Sequence, residues 1–410
     1  MRRIIDLYRN AFGGLSKPTW MLSLIMLINR SGTMVLPFLS VYLTRSLGYS
    51  LEQTGIILSS YGLGSLAGGY LGGRLTDRFG HFIVQFLSLV FSALLFASLS
   101  FVSGYFQLMV GFFIVSMVAE SLRPANAASI SFYSKPENIA RSFSLNRMAI
   151  NLGFSVGPLA GGLLASISYK MLFFADGITC FLAGIVFYIY FKNRKGFKAV
   201  KQKPENKVPK IKSAYRDKRF LFFIFLTSVF ATLFFQLFMT LPIYYREVYD
   251  LNEKLIGGLL AVNGITVFSL EMIMVYILSK KYRMHSLIVI GMILMGISFT
   301  MLNLGHSFSL LVFSMLILSI SEIFAMPFMA TFVVDRSNER NRGSYMGLYT
   351  ISFSIALIIA PYLGSRVIAH LGFDILWWGT GIISLLAAIG FYFVTNPDKG
   401  KKKPEKSSLS

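Results

Sequence analysis

The chain has 410 residues, of which 55% are hydrophobic and only 14% are charged, whereas soluble proteins carry about 25% charged residues. Apolar runs longer than about 18 residues recur along its length, so the sequence predicts an all-α, polytopic membrane protein and excludes a soluble one. The single cysteine, Cys180, excludes an internal disulfide framework.

Twelve apolar segments follow one another in chain order, and each predicts a membrane-spanning helix. The first starts near Pro18 and is too long for the core of a signal peptide, so we expect it to be retained. The predicted spans, numbered 1 to 12, cover residues 18–44, 52–74, 80–103, 106–134, 139–169, 171–192, 218–246, 254–279, 284–304, 307–335, 341–369 and 374–395.

One long polar connection, residues 193–217, interrupts this series. It is basic, contains two prolines and has no apolar periodicity, as is typical of a flexible linker. The sequence therefore predicts an N-terminal six-helix bundle over residues 1–192, the linker, a C-terminal six-helix bundle over residues 218–395 and a basic tail over residues 396–410.

The lysines and arginines lie mainly on one side of the predicted membrane. Of the 39, three lie within spans (Arg30, Arg123, Arg147) and five lie in connections on the other side (Arg45, Lys170, Arg246, Lys254, Arg366). Since cytoplasmic loops carry the excess of positive charge, we expect a plasma membrane protein, in a bacterium the inner membrane, with both termini cytoplasmic. The formal charge of +21 then reflects topology and contacts with anionic lipids, and not nucleic-acid binding.

The two halves resemble each other at a nearly constant offset. At about 202 residues, Gly55 aligns with Gly257 and Glu120 with Glu322, and at about 203 residues Pro158 aligns with Pro361. Both halves start on the same side, so the repeat is parallel. Parallel repeats around an axis normal to the membrane are a known transporter design, with the substrate site between the halves near the bilayer midplane.

Two motifs carry a resemblance to a known family. The connection between spans 2 and 3 reads GRLTDRFG over residues 73–80 and resembles the G-x-L-x-D-R-x-G signature of the major facilitator superfamily. Span 5 carries a motif that resembles the one associated with drug:proton antiporters of that superfamily, formed by Gly153, Gly157, Pro158, Gly161 and Gly162. The resemblance implies the twelve-helix fold of that superfamily and secondary transport, by a monomer that needs no cofactor.

The sequence departs from the pattern of this family at two places. His81 and Phe82 stand where the signature usually continues with two basic residues. Span 4 contains Glu120 and Arg123 where a typical antiporter has an arginine-plus-glycine pattern. The second departure weakens the antiporter interpretation but not the assignment to the superfamily.

The first motif is predicted to form a gate. By resemblance, Asp77 would contact the start of span 11 near Arg342, and Arg78 would hold a polar group at the neighbouring helix ends. Gly73 and Gly80 would permit close backbone approach. These contacts would latch the halves in the outward-facing state; the alternative is a plain basic turn.

Charged residues within spans are costly, so each is expected to have a partner or a function. Arg30 in span 1, with its neighbour Asn29, is predicted to face the central cavity and bind an anion or pair with Glu120. Glu120 and Arg123 are three residues apart on one helix face and either neutralise each other or contact substrate. Gln236 in span 7 is a further predicted cavity residue.

Two acidic residues are predicted to couple transport to protons. Glu322 has Ala325 where an arginine would compensate it, and a buried carboxylate without a cation can load and release a proton. Glu271 in span 8 has no basic residue within a turn and is the second such residue. The alternative for both is a structural hydrogen bond, and Arg147 is interpreted as structural.

Three functions remain open at this point. The first is proton-driven export of amphiphilic, drug-like molecules. The second is proton-coupled uptake of an anionic or zwitterionic solute such as a peptide, sugar acid or siderophore, because an arginine fork suits a carboxylate. The third is a lipid flippase or sensor on the same fold. The sequence shows no catalytic triad, no metal-spaced Cys/His cluster and no phosphate loop, so we do not expect an enzyme or a metal site.

Overall fold

The computed structural model describes residues 13–135, 138–194, 214–337 and 341–396, and within these ranges the secondary structure is helical without strands. Ten helices in the described part are long and apolar enough to cross a membrane. They are Lys17–Ser46, His81–Leu99, Tyr105–Tyr133, Arg141–Ala165, Lys170–Phe191, Lys218–Glu247, Glu253–Lys281, Met284–Asn303, Phe308–Arg336 and Arg342–Thr395.

Two helices account for the difference between these ten and the twelve predicted spans. Leu51–Phe79 is a helix of 29 residues, but its many glycines and serines lower its mean hydropathy. Arg342–Thr395 has 54 residues, about 80 Å of helix, which is more than twice the hydrocarbon thickness of a bilayer. Gly372, with φ 83° and ψ 174°, divides it into two helices. The numbering of spans 1 to 12 is therefore kept, with Leu51–Phe79 as span 2 and spans 11 and 12 on either side of Gly372.

Spans 1, 4 and 7 are each interrupted, and a proline lies in the first turn after each break. Span 1 consists of Lys17–Ser31, Val35–Val41 and a π-helical turn, Tyr42–Ser46; span 4 consists of Tyr105–Glu120 and Leu122–Tyr133; span 7 consists of Lys218–Phe234, Gln236–Met239 and Leu241–Glu247. The prolines are Pro37, Pro124 and Pro242. A proline in the first turn of a helix sacrifices no intrahelical hydrogen bond, so these prolines are compatible with a restart of the helix.

Several spans begin at a side chain that caps the helix. Ser50 accepts a hydrogen bond from the backbone N–H of Gln53, whose side chain in turn accepts one from the backbone N–H of Ser50. Asn252 and Ser307 cap spans 8 and 10 in the same way from the side chain. These polar caps fix where spans 2, 8 and 10 start.

The two halves meet mainly along two seams, one between spans 2 and 11 and one between spans 5 and 8, and spans 1 and 7 also contact each other. In the first seam, the Ser59 hydroxyl donates to the carbonyl oxygen of Ile358 at 2.8 Å. In the second, a Cβ added at Gly257 would lie 2.4 Å from the carbonyl oxygen of Pro158. Glycines in both seams let the helices approach backbone to backbone.

The seam between spans 2 and 11 is tight only on one side of the molecule. We call the side that carries the connections after spans 2, 4, 8 and 10 the basic side, and the other the opposite side. Near the basic side, a Cβ added at Gly69, Gly73, Gly343 or Gly347 would meet no atom within 4 Å. The halves are therefore joined on the opposite side and separated along spans 2 and 11 on the basic side.

Many large apolar side chains on the outer surface are exposed. Leu386 in span 12 is 63% exposed, Ile189 in span 6 is 64% exposed and Phe225 in span 7 is 60% exposed. In water such a surface would favour aggregation, whereas in a bilayer it contacts lipid. The exposure agrees with a multi-pass membrane protein.

Candidate functional site

A cluster of three charged side chains lies within the N-terminal half. Arg123 Nη2 is 3.0 Å from Glu120 Oε2, and Arg30 Nη2 is 3.7 Å from Glu120 Oε1. Glu120 is buried, the Arg30 side chain is 13% exposed and the Arg123 side chain is 53% exposed. The Arg30 guanidinium also lies over the Phe154 ring of span 5, at 5.8 Å from its centroid. The structure thus brings together three residues predicted from the sequence, and one carboxylate serves two guanidinium groups.

Asp176 in span 6 is a buried acid that was not among the predicted residues. Its two carboxylate oxygens accept hydrogen bonds from the backbone N–H groups of Met34, at 3.0 Å, and Val35, at 3.2 Å. These N–H groups lie where span 1 restarts, and that of Met34 also donates to the Gly32 carbonyl oxygen at 2.8 Å, so Asp176 caps that break from another helix. The sequence carried a signal for it, because Asp176 is the one acid in the apolar run 171–192.

Asn29 is also used within the N-terminal half. Its amide nitrogen donates to the sulfur of Cys180 at 3.3 Å. Asn29, Arg30 and Asp176 line a small cavity of about 40 Å³ between spans 1, 2, 3, 4 and 6. A cavity of this size holds a water molecule or two and no organic solute.

A second charged cluster joins the two halves. Arg147 Nη2 of span 5 is 2.8 Å from Glu271 Oε1 of span 8, and the Asn151 amide donates to Glu271 Oε2 at 2.8 Å. The Glu271 side chain is 15% exposed and that of Arg147 is 40% exposed. Glu271 has no basic residue within a turn of its own helix, and its partner comes from the other half.

A cavity of about 380 Å³ lies beside this cluster, between spans 5, 8 and 10. Its polar groups are Ser144, Arg147, Asn151, Glu271 and Tyr276. The rest of its lining is apolar and consists of Met148, Val267, Phe268, Met272, Val275 and Pro327. Its volume suits a small organic molecule, and its methionines and phenylalanine supply an adaptable apolar surface.

Glu322 in span 10 is held differently from the other acids. Its carboxylate accepts a hydrogen bond from the Asn263 amide at 3.3 Å, and the same amide nitrogen lies 3.1 Å from Ser319 Oγ. Within the described residues Glu322 makes no ion pair, and the Glu271 carboxylate lies within electrostatic range. Of these two acids of the C-terminal half, Glu271 pairs with an arginine, which the N-terminal half supplies, and Glu322 does not pair with a described cation.

Gln236 lies away from both clusters. Its amide nitrogen donates to the carbonyl oxygens of Thr232 and Ala360, at 3.3 and 3.2 Å, and its amide oxygen accepts from the Thr240 hydroxyl at 2.8 Å. The side chain is buried and serves the backbone where span 7 breaks against span 11. The structure gives Gln236 a packing role at this break.

The predicted gating residues are apart in this structure. Asp77, Arg78 and Arg342 are all exposed, and no ion pair between described residues includes any of them. The Arg78 guanidinium lies over the ring of the adjacent Phe79, 5.2 Å from its centroid. Gly80 has φ 88°, a backbone conformation that favours glycine, and allows the sharp turn between spans 2 and 3.

The span 5 motif packs against two neighbours. A Cβ added at Gly153 would lie 2.6 Å from Arg30 Cβ, and a Cβ added at Gly157 would lie 2.9 Å from the Thr33 carbonyl oxygen. Arg30 and Thr33 belong to span 1, which Gly161 also faces. Gly162 and Pro158 face span 8 at Gly257. The motif therefore lets span 5 lie close to span 1 of its own half and to span 8 of the other.

Span 5 also connects the two charged clusters. Arg147, Asn151 and Phe154 are separated by four and three residues, so they lie along one helix face. The first two contact Glu271, and the third contacts Arg30. Away from the helix ends, the described spans hold three arginines (Arg30, Arg123, Arg147) and four acids (Glu120, Asp176, Glu271, Glu322). One proton or one organic cation would balance these charges.

Comparison with known protein families gives a match along most of the chain. The sequence model of the Major Facilitator Superfamily matches residues 20–288 and 259–410. The Na(+), Li(+), K(+)/H(+) antiporter of Planococcus maritimus is 23% identical over 399 residues, covering 90% of this chain and 92% of that protein. The multidrug resistance protein MdtH of Salmonella arizonae is 22% identical over 375 residues, covering 90% and 91%.

Solved structures share the fold. A POT family transporter in complex with a thioalcohol-conjugated peptide superposes with a TM-score of 0.80 at 18% identity, covering 95% of this chain and 98% of that one. The nucleoside transporter NupG superposes with a TM-score of 0.74 at 15% identity, covering 93% and 100%. At these identities the likeness concerns the fold alone.

Proposed function

The chain belongs to the major facilitator superfamily and is a multi-pass membrane transporter and not an enzyme, and we propose that it exchanges protons for small amphiphilic organic molecules, which it exports. The observation that carries this proposal is Glu322, a carboxylate inside a span whose described partners include no cation. Such a residue is costly in a membrane unless it has a function.

The balance of charged side chains in the two halves supports the exchange of a proton for an organic cation. The acids away from the helix ends outnumber the arginines by one, so the site is neutral with one bound proton or with one bound organic cation. Binding both would leave a positive charge in a region of low dielectric, which is unfavourable. Proton and cation would therefore compete for Glu322 and Glu271, as an antiporter requires. The apolar lining of the 380 Å³ cavity suits the apolar part of such a solute.

Proton-coupled flux tests this proposal directly. We expect the purified full chain in proteoliposomes to release protons when a lipophilic monocation such as tetraphenylphosphonium is added against a pH gradient. Glu322→Gln keeps the shape and the hydrogen bond but cannot ionise, so it should abolish this coupled flux. Asp335→Asn is the matched control, because Asp335 is an exposed acid of the same span. Retention of proton coupling by Glu322→Gln would refute its role as proton carrier.

The second candidate function is uptake of an anionic or zwitterionic solute. It is favoured by the sharing of Glu120 between Arg30 and Arg123, which leaves the exposed Arg123 guanidinium only partly neutralised. Arginine binds carboxylates in a bidentate manner. Among the structural neighbours is a POT family transporter with a bound peptide conjugate. If this function is correct, Arg30→Ala and Arg123→Gln should abolish binding of an anionic solute by the purified protein, while binding of lipophilic cations is unchanged.

We propose that the basic side faces the cytoplasm and that the described conformation is open to it. The excess of lysine and arginine on that side supports this orientation. Phe101 lies on the opposite side and Tyr215 on the basic side, and both are exposed. In a Cys180→Ser background, an impermeant thiol reagent should therefore label Phe101→Cys in intact cells and Tyr215→Cys only after permeabilisation. The reverse pattern would contradict the orientation. The basic connections would then contact anionic lipids of the plasma membrane, with the protein acting as a monomer.

We further propose that Asp77 and Arg342 come together when the basic side closes. Their exposure and the open space at Gly73 and Gly343 fit a gate described in its open form. Asp77→Asn should impair transport while the protein still inserts, because the closed form loses a charged contact. Transport at the normal rate by Asp77→Asn would contradict the gate.

A further inference from the structure

Two glutamates bridge the halves on the opposite side, one at each seam. The Glu52 carboxylate of span 2 lies 3.0 Å from His370 Nε2 of span 11. The Tyr169 hydroxyl, in the connection from span 5 to span 6, donates to the Glu253 carboxylate of span 8 at 2.7 Å. Each contact joins a residue of one half to a residue of the other, so both exist only while the opposite side is closed.

The two bridges occupy related places in the repeat. Glu52 and Glu253 both lie in the first turn of their helix, two residues after the capping Ser50 and one residue after the capping Asn252. Tyr169 follows the last turn of span 5, and His370 lies in the last turn of span 11 before the bend at Gly372. The carboxylate is kept at both seams, and only its partner differs.

The partners differ in one chemical property. A histidine is the side chain that changes charge between about pH 5 and pH 8, whereas a tyrosine stays neutral there. From this asymmetry we propose that the Glu52–His370 bridge makes closure of the opposite side depend on the pH of the solution on that side. Protonated His370 forms a charged pair with Glu52 and favours the closed form, and loss of that proton leaves only a neutral contact. The Tyr169–Glu253 bridge at the other seam contains no histidine.

The charged groups around His370 leave Glu52 as its direct partner. On the same helix as His370, Arg366 lies one turn earlier, over the Tyr362 ring. Asp374 follows the bend, and its backbone carbonyl oxygen accepts a hydrogen bond from the Asn303 amide. Span 2 presents Glu52. At the ends of spans 1 and 7, Arg45 and Arg246 lie within electrostatic range of Tyr169. Glu247 lies within electrostatic range of Arg45, and Arg246 forms an ion pair with Asp250. These groups therefore act on the other seam.

Closure can be measured as a distance across the opposite side. Phe101 and Leu304 are 76% and 70% exposed and lie in connections of different halves, so spin labels on Phe101→Cys and Leu304→Cys in a Cys180→Ser background report the separation. In nanodiscs with the full chain, the ratio of closed to open molecules should rise about two- to five-fold from pH 8 to pH 5.5, the range expected of an exposed ion pair.

Matched variants separate the bridge from other titrating groups. His370→Gln keeps a donor for Glu52 without titrating, so it should remove this pH dependence, and Glu52→Gln should do the same. Tyr169→Phe should lower the closed fraction at every pH and keep the pH dependence. Unchanged pH dependence in His370→Gln and Glu52→Gln would overturn the inference. The inference rests on alternating access but not on the proton carrier proposed above, so Glu322→Gln should retain the component that His370→Gln removes.

Discussion

Closure of the opposite side depends on how closely spans 5 and 8 can approach, and Gly257 is the position that tests it. A Cβ at Gly257 would lie 2.4 Å from the Pro158 carbonyl oxygen and 3.0 Å from the Gly162 Cα, whereas ordinary contacts are 3.4–4 Å. Both neighbours are backbone atoms, which cannot rotate aside. Gly257→Ala therefore requires the two helices to separate by about 1 Å.

The expected shift in the conformational equilibrium of Gly257→Ala follows from the free-energy cost of overpacking. Forcing an extra methyl group into a close-packed contact typically costs about 1–3 kcal/mol. Because the contact exists only between the halves, this cost falls on the conformation closed on the opposite side. A difference of about 1–3 kcal/mol corresponds to a shift of about 5- to 150-fold between two conformations. We therefore expect Gly257→Ala to populate the form that is open on the opposite side.

The neighbouring glycine provides the control. A Cβ added at Gly258 meets no atom within 4 Å, and both substitutions gain the same helix propensity, about 0.5–1 kcal/mol. The distance between spin labels at Phe101→Cys and Leu304→Cys should lengthen in Gly257→Ala and stay unchanged in Gly258→Ala. Equal distance distributions for the two variants would refute the reasoning that backbone contact at this seam sets closure.

Three further substitutions test other parts of the structure. The pKa of Asp217 is lowered because hydrogen bonds from Arg336 and other donors outweigh the effect of burial. The contribution of Asp217 to stability is therefore full above about pH 4 and is lost as the pH falls through the pKa of Asp217 in the folded protein. Asp217→Asn should cost about 1–2 kcal/mol at pH 7 and less in acid, as measured by thermal unfolding. Asp176→Ala should lower the unfolding temperature more than Asp176→Asn, because asparagine still accepts one of the two backbone hydrogen bonds. Gly80→Ala should cost about 1–3 kcal/mol in the same assay, because φ 88° with ψ 156° is a backbone conformation open essentially to glycine alone.

The helices were predictable because their signals are local. Apolar length placed the spans, and the capping residues and prolines that fix their ends are visible in the sequence. The breaks in spans 1 and 7 were not predicted, since each lies inside a segment whose mean hydropathy remains that of a membrane span. The backbone donors at the break in span 1 are bound from another helix, by Asp176. At the break in span 7, Gln236 of the same span donates to the carbonyl oxygens of Thr232 and of Ala360 in span 11. A residue that serves a backbone break in a distant helix gives no periodic signal.

The charged clusters were predictable only in part, for a related reason. Glu120 and Arg123 are three residues apart, so their pairing follows from helix geometry. The partners of Glu271 lie more than 100 residues earlier, with Asn151 separated from it by 120 positions. No rule of local spacing identifies such a pair. Glu271 was therefore interpreted as unpaired, and the structure shows Arg147 and Asn151 on its two oxygens.

This long-range pair ties the charge of the site to the arrangement of the halves. Arg147 belongs to the N-terminal half, whereas Glu271 and Glu322 belong to the C-terminal half. Any motion that changes the distance between spans 5 and 8 therefore changes how strongly a cation stabilises the two carboxylates. By linkage, a proton or organic cation that binds these carboxylates must shift the equilibrium between the conformations by the same free energy. In the N-terminal half, Glu120 is paired with Arg30 and Arg123 of that same half and so lacks this dependence. The structural asymmetry thus favours the C-terminal half as the part that couples ion binding to conformational change.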